Sequence, residues 1–176
     1  MRQLIFLCFF SLFFTSISGQ LTLKKLTETK ISPICIVDKG NGTYFLDFGK
    51  AAFGTLVFQD SLVTTGSEIY VTLSESISDV NTPEVHPKGT IRSWQGKLKL
   101  RRFNDYYILD LPKFSYPQGF VPVPHDIKNI LPYRYCQLSG LAKDFDINSV
   151  RQLAIWYPFN DNASRFSSSS DNLNKI

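Results

Sequence analysis

The sequence has 176 residues, with 19 Lys and Arg against 15 Asp and Glu, which gives a formal net charge of +4. Hydrophobic residues make up 43% of the chain and charged residues 19%, and these near-average values exclude a disordered, collagen-like or coiled-coil protein. A charge this small is not typical of a nucleic-acid-binding protein. The composition therefore predicts one ordinary globular domain.

The first 19 residues predict a secretory signal peptide. Arg2 gives a positive start, residues 4–14 form an almost unbroken apolar run, and the small residues Ser16, Ser18 and Gly19 follow. The apolar run is shorter than the about 20 residues that a membrane-spanning helix needs. We therefore expect an exported protein, periplasmic or secreted, without a membrane anchor.

Removal of the signal peptide would leave two cysteines, Cys35 and Cys136. An oxidising compartment allows two such thiols to form a disulfide. That bridge would close a loop of roughly 100 residues, worth about 4.7 kcal/mol in the chain-entropy model. The alternative is two buried, unpaired thiols, because both cysteines lie among apolar residues. The sequence leaves both alternatives open.

Short segments rich in aromatic and β-branched residues predict a series of antiparallel strands. In chain order these segments are 44–48, 55–59, 68–74, 90–94, 97–103, 106–111, 133–138 and 150–157. The first two are separated by residues 49–54, which begin and end in glycine and predict a connection between two strands. Residues 68–74 have apolar side chains at alternate positions only, which is typical of a half-buried strand.

The remaining segments predict loops. Residues 20–39 are irregular, residues 76–89 are polar and contain two prolines, and residues 112–132 are rich in proline. Because proline has no N–H to donate, we expect the last of these segments to cross the surface or one sheet edge. Seven or eight short strands without a convincing amphipathic helix predict an all-β fold over residues 20–157, an antiparallel β-sandwich or jelly roll.

Residues 158–176 differ in composition from the strands before them. Polar residues and four consecutive serines predict a linker, after which Asp171 can cap a helix that has Leu173 and Ile176 on one face. A single helical turn is unstable on its own. We therefore expect this segment to begin a helical domain, and the chain to be the front part of a longer polypeptide.

Several strings resemble metal or phosphate sites but lack the residues that the chemistry needs. Residues 47–49 read Asp-Phe-Gly without the other motifs of a protein kinase, which favours a strand end that turns at glycine. The acidic run 144–148 is followed by neither the glycine nor the glutamate of a calcium loop, which favours a solvated turn. His86 and His125 have no partners at metal-ligand spacing. We expect neither a metal nor another cofactor.

The sequence offers no catalytic residue that its pattern supports. A Gly-x-Ser-x-Gly elbow is lacking, and export favours oxidation of Cys35 over an activated thiolate. A glycosidase needs two facing carboxylates, for which Glu68 and Glu75 are the best strand-borne candidates. A structural role is favoured for both, because nothing in the sequence indicates a cleft around them.

Aromatic residues give the remaining functional hypothesis, which is carbohydrate binding. Saccharides stack their C–H faces on aromatic rings while polar side chains hold the hydroxyls. Arg92 and Trp94 lie together near a predicted turn, where loops present binding residues, and Tyr106 is a further candidate. Packing in the core is the favoured alternative, because sandwich cores bury large aromatic side chains.

Three stretches carry a family resemblance. Residues 44–56 read Tyr-Phe-Leu-Asp-Phe-Gly-Lys-Ala-Ala-Phe-Gly-Thr-Leu, and residues 132–136 and 159–176 follow in the same order. Together they resemble the β-sandwich region that precedes the catalytic domain of bacterial α-L-rhamnosidase-like glycosidases, glycoside hydrolase family 78. The resemblance covers residues 44–176, and the last stretch resembles the segment that leads into the first helix of the catalytic barrel.

This resemblance implies an exported, non-catalytic β-sandwich whose partner is its own C-terminal (α/α)6 barrel. In the family that barrel hydrolyses terminal α-L-rhamnosides, so plant or microbial glycans that contain rhamnose are the implied substrates. We expect the present chain alone to be inactive. Two other functions stay open: a stand-alone carbohydrate-binding sandwich that uses Arg92, Trp94 and nearby tyrosines, and a secreted adhesion or interaction sandwich.

Overall fold

A computed structural model describes residues 26–59, 68–114, 129–158 and 167–170. The described residues form strands β1 Thr27–Ile31, β2 Cys35–Gly40, β3 Thr43–Phe58, β4 Tyr70–Ser74, β5 Ile77–Asp79, β6 Thr82–Pro83, β7 Ser93–Lys97, β8 Leu100–Phe103, β9 Tyr106–Leu109, β10 Leu131–Ser139 and β11 Val150–Trp156. A short 3-10 helix, Ile147–Ser149, precedes β11. The predicted signal peptide, His125 and the predicted helix start at 171–176 lie outside the described residues.

The long strand β3 organises the sheet, because different strands pair with its two halves. Residues 43–47 pair with β2 on one edge and β10 on the other. Residues 54–58 pair with β11 and, at their end, with β9. We call β2-β3-β10-β4-β7 the first half-sheet and β1-β11-β3-β9-β8 the second half-sheet. Every pairing in them is antiparallel.

One apolar core joins the two half-sheets. Leu46, Val71 and Leu138 come from the first half-sheet, Leu56 and Leu109 come from the second, and each is at most 1% exposed. Because side chains alternate across a strand, each half-sheet turns one face toward this core. A strand that passes from one layer to the other is a known way to make the corner of a sandwich. The prediction of an antiparallel β-sandwich is confirmed.

The connection predicted at residues 49–54 is wrong, because β3 continues through it as one strand. Tyr133 of β10 pairs with Ala52 and Tyr135 pairs with Asp47, so four residues of β3, 48–51, face a single residue of β10. Gly49 has a φ of +84° inside this bulge, which glycine adopts without a steric penalty. The glycine therefore marks a bend within a strand.

Two strands at the start of the described chain were not predicted. Four of the five residues of β1 are exposed, and the strand pairs with β11 at one end of the second half-sheet. Similarly, β2 has no buried residue. The prediction of an irregular segment at 20–39 is wrong at these strands, since β1 is polar and the apolar residues at the start of β2 are consecutive, so neither strand shows an alternating apolar pattern. Exposed polar edges of this kind discourage pairing with other chains.

The half-buried strand predicted at 68–74 is right at Glu68 and Tyr70, which are exposed, but wrong at Thr72 and Ser74. Val71 and Leu73 face the core, whereas Thr72 and Ser74 face away from it but are only 4% and 0% exposed. Strand β6, which pairs with β5, contacts β4 and β10. The predicted loop at 76–89 thus contains two short strands, and it is long enough to fold back over the sheet.

Pro132 lies within β10, contrary to the prediction that the proline-rich segment stays outside central ladders. It pairs with Phe53 of β3 beside the bulge. On its other edge, β10 pairs with β4 only from Tyr135 onward. A residue without an N–H is tolerated there because no neighbouring strand on that edge needs a hydrogen bond from it.

A smaller difference concerns the starts of two strands. β7 and β8 begin about three residues later than the segments 90–94 and 97–103 predict.

Candidate functional site

Trp94 lies on β7, at one end of the first half-sheet. Its partner across the ladder is Leu73 of β4, which places both side chains on the core face, and the indole packs against the main core. The ring also lies against Gly96, where an added Cβ would approach the indole to 2.5 Å. Trp94 is therefore held by contacts with the main core and with its own strand.

Arg92 immediately precedes β7 and is exposed. Its guanidinium lies 5.9 Å from the ring centre of Phe53, whose side chain is 50% exposed. The backbone N–H of Arg92 donates to Glu75 Oε2 at 2.6 Å, which ties the start of β7 to the end of β4. The aromatic ring beside Arg92 is thus Phe53, which the sequence analysis did not consider.

Tyr106 lies in a different part of the molecule. It is 8% exposed and belongs to a small cluster with Val57, Ile108 and Leu153 on the outer face of the second half-sheet. The ammonium group of Lys30 lies 3.9 Å from its ring centre. Burial is the largest cause of a raised pKa for this phenol. The structure does not bring Tyr106 together with Arg92 and Trp94.

Cys35 and Cys136 are both free. They flank β3 on opposite edges, so strand spacing puts their Cα atoms roughly 10 Å apart, beyond the about 7 Å limit for a disulfide. Their partners on β3 are the adjacent residues Asp47 and Leu46, so the two thiols point to opposite faces. The structure has unpaired thiols, and Cys35 is exposed whereas Cys136 is buried.

Glu68 and Glu75 stand at opposite ends of β4. A rise of about 3.3 Å per residue separates their Cα atoms by roughly 23 Å, far more than the about 5–9.5 Å between glycosidase carboxylates. Glu68 forms an ion pair with Lys97 and accepts a hydrogen bond from the Tyr70 hydroxyl. The hydrogen bond from Lys97 is the largest cause of a lowered pKa for this carboxyl, which disfavours a general acid. These two residues do not form a hydrolytic pair.

The acidic run 144–148 and His86, which were considered as metal ligands, are not arranged as a metal site. Asp146, in the acidic run 144–148, caps the 3-10 helix by accepting the N–H of Asn148 at 3.0 Å. Phe145 in the same run is buried, and His86 is exposed in the segment before β7. Among the described residues, no group of three His, Cys, Asp or Glu side chains is placed to hold a metal ion.

The bulge of β3 carries an ion pair that the sequence analysis missed. Arg134 donates from Nε to Asp47 Oδ1 at 2.8 Å and from Nη2 to Oδ2 at 2.9 Å. The same Oδ1 accepts the backbone N–H of Gly49 at 2.7 Å. The side-chain hydrogen bond from Arg134 is the largest cause of a lowered pKa for Asp47. This fork-like geometry fixes the strand where it leaves the regular ladder.

A cavity of about 410 Å³ opens beside the turn between β2 and β3. We call it the hairpin cavity; its lining residues are Asp38, Gly40, Asn41, Gly42, Tyr44, Leu141, Ala142 and Lys143. The loop after β10 closes one side, and the N–H of Leu141 donates to Gly42 O at 3.1 Å. Asp38 and Tyr44 are direct partners across the ladder, so their side chains share one face.

Neither place was predicted as a site, for a clear reason. The turn between β2 and β3 lies at Asn41 and Gly42, and the local pattern there carries no sign of the loop that packs against it. Arg134 is 87 residues from Asp47 in sequence. Opposite charges at such a separation become a recognisable pair only when the register of β10 on β3 is known.

The fold and these sites define a class: an antiparallel β-sandwich that pairs its described strands around one core, with a polar cavity at a hairpin. Comparison with protein families makes the assignment specific. The family model of the bacterial alpha-L-rhamnosidase concanavalin-like domain matches residues 38–156. The match begins inside β2 and ends at the last residue of β11, and the chain belongs to this family.

The family assignment identifies a β-sandwich associated with glycosidases. Comparisons with curated proteins and with solved structures gave no match. Within the described parts of the chain, no helix has both the length and the apolar character needed to cross a membrane.

Proposed function

We propose that this chain is the non-catalytic β-sandwich of an exported α-L-rhamnosidase-like glycoside hydrolase. An (α/α)6 barrel in the same polypeptide would hydrolyse terminal α-L-rhamnosides of plant or microbial glycans, and the sandwich would pack against that barrel and shape its sugar site. The observation that carries the proposal is the family match over residues 38–156, which includes most of the sandwich from β2 to β11. The wide separation of Glu68 and Glu75, beyond the two ends of β4, agrees with a non-catalytic role.

Activity measurements on two forms of the protein test whether the barrel, and not the sandwich, is catalytic. The coding DNA is read beyond the codon for Ile176, and the present chain and the extended product are assayed with an aryl α-L-rhamnoside. We expect hydrolysis by the extended product and none by the present chain. Hydrolysis by the present chain that Glu68→Gln or Glu75→Gln abolishes would overturn the proposal, as would an extended frame that encodes no helical domain.

Export is tested separately, because it rests on the first 19 residues. These residues are fused to a reporter enzyme that is active only outside the cytoplasm, and Arg2→Glu with a charged residue at Leu7 serves as the matched control. We expect reporter activity with the native segment and its loss in the control. Equal reporter activity of the two fusions, or no activity of either fusion, would contradict export of the protein.

A further inference from the structure

The polar side chains of the hairpin cavity face solvent, and most of their polar atoms are not bonded to other protein groups. Asp38 Oδ1 accepts the N–H of Gly40 at 2.7 Å. Among the described residues, Asp38 Oδ2, the Asn41 amide, the Tyr44 hydroxyl and the Lys143 ammonium have no hydrogen-bond partner. These groups come from four places in the chain, the end of β2, the turn, the start of β3 and the loop after β10, and all four line one cavity. Two are donors and acceptors, one is an acceptor and one is a donor.

The charges of the cavity favour a neutral ligand. Asp38 supplies one negative charge and Lys143 one positive charge, so the lining is neutral in sum. An anion such as phosphate would meet the Asp38 carboxylate, whose Oδ1 already accepts the Gly40 N–H that an anion would need. Lys143 disfavours a cation in the same way. A ligand with several hydroxyl groups satisfies both charged groups and the amide.

The wall of the cavity adds apolar surface beside these polar groups. Tyr44 presents an aromatic ring that also packs on the main core, and Leu141 is 6% exposed. Ala142 completes this side. The volume of about 410 Å³ lies in the range of about 300–1,000 Å³ that is typical of small-molecule sites, and the cavity is open to solvent with a lining more polar than apolar. The C–H faces of a sugar ring fit the apolar wall while its hydroxyls face the polar groups.

The cavity is also preformed. The turn holds Gly40, Asn41 and Gly42 at φ values of 82°, 53° and 68°. A Cβ on Gly42 would lie 2.3 Å from the carbonyl oxygen of Leu141, so the turn and the loop after β10 touch through their backbones. The backbone of the cavity is therefore already in place, and the ordering cost of binding falls on the exposed side chains of Asp38, Asn41 and Lys143.

From these observations we propose that the hairpin cavity is a binding site for a neutral saccharide. Asp38, Asn41 and Lys143 would form hydrogen bonds with vicinal hydroxyl groups of the sugar. Tyr44 and Leu141 would pack against its ring. The site lies on the sandwich itself, so sugar binding needs no catalytic barrel.

Calorimetric titration of the whole chain tests this site, with L-rhamnose and D-galactose as probes and inorganic phosphate as the rival ligand. We expect saturable 1:1 binding of at least one sugar with a dissociation constant on the order of 1 mM. Asp38→Asn keeps the Oδ1 bond to Gly40 but removes the charged acceptor, and it should weaken binding about tenfold. Asp79→Asn is the matched control, because Asp79 Oδ1 accepts the N–H of Val80 at 2.7 Å outside the cavity; it should bind like the wild type.

A second variant keeps the test independent of folding. Lys143→Met changes an exposed side chain, and it should weaken sugar binding several-fold while the thermal melting curve stays that of the wild type. The proposal is overturned if neither sugar binds to folded protein, if both cavity variants bind sugar as well as Asp79→Asn does, or if phosphate binds more tightly than either sugar. Rhamnosidase activity of a longer polypeptide has no bearing on these outcomes, so this proposal can fail without the proposed function failing.

Discussion

Arg134 and Asp47 illustrate how one pair of side chains holds an irregular strand. The Asp47 side chain is 15% exposed and that of Arg134 is 35% exposed, so the pair lies between a surface and a buried ion pair. Arg134→Met leaves Asp47 without its partner, and we expect a loss of about 1–2 kcal/mol in the free energy of unfolding. Urea denaturation measures this loss. Lys97→Met is the matched control, since it breaks the exposed pair with Glu68; a loss as large as that of Arg134→Met would contradict a special role for the bulge.

The same pair makes stability depend on pH. The pKa of Asp47 is lowered, first by the hydrogen bond from Arg134. A carboxyl with a lowered folded pKa stabilises the fold above its unfolded pKa of about 3.9, and this contribution is lost as the pH falls through the folded value. We therefore expect the difference in unfolding free energy between wild type and Asp47→Asn to shrink below about pH 4. Denaturation curves from neutral to acid pH measure it, and a constant difference would refute the linkage.

Gly54 marks the place where β3 leaves one half-sheet for the other. It pairs with Leu131 of β10 and Ala154 of β11. A Cβ there would lie 2.3 Å from the carbonyl oxygen of Leu153, which is backbone and cannot move aside. We expect Gly54→Ala to cost about 2–3 kcal/mol of unfolding free energy, measured by thermal or urea unfolding.

The control for Gly54 is a glycine with open space around it. Gly89 has a φ of +73°, and nothing lies within 4 Å of a Cβ placed on it. Gly89→Ala should therefore cost only the conformational strain of about 1 kcal/mol. Equal losses in the two variants would show that close packing at the corner of the sandwich does not set the cost at Gly54.

The strands that the sequence predicted well are those with strong local patterns. Segments 106–111, 133–138 and 150–157 are rich in aromatic and β-branched residues, and β9, β10 and β11 lie there. The polar β1 has no such pattern, because it is stabilised by pairing with β11 and not by burial. Local propensity also cannot reveal that residues 48–51 are a bulge, since that depends on the register of a distant strand.

The candidate sites were less predictable than the fold. Aromatic side chains direct attention to carbohydrate binding, but Trp94 packs on the core face and Tyr106 is in a separate cluster. The hairpin cavity combines a turn with a loop about 100 residues later. Such a site depends on how the two half-sheets close around the core, and no short sequence motif predicts that closure. The family match identifies the fold, but it assigns no residue to a site.

The reactivity of Cys35 and Cys136 can be used to measure how often the sandwich opens. Cys35 is exposed, whereas Cys136 is 0% exposed in the main core and burial raises the pKa of its thiol. Iodoacetamide reacts with thiolates, so Cys136 should react only when the two half-sheets separate. For a fold of ordinary stability, we expect Cys136 to be alkylated at least about 10³-fold more slowly than Cys35. Peptide mass spectrometry scores each cysteine separately, with Cys8 as a third peptide. Low urea should accelerate labelling of Cys136 in proportion to global unfolding, and equal labelling of both residues in the native state would contradict the core position of Cys136.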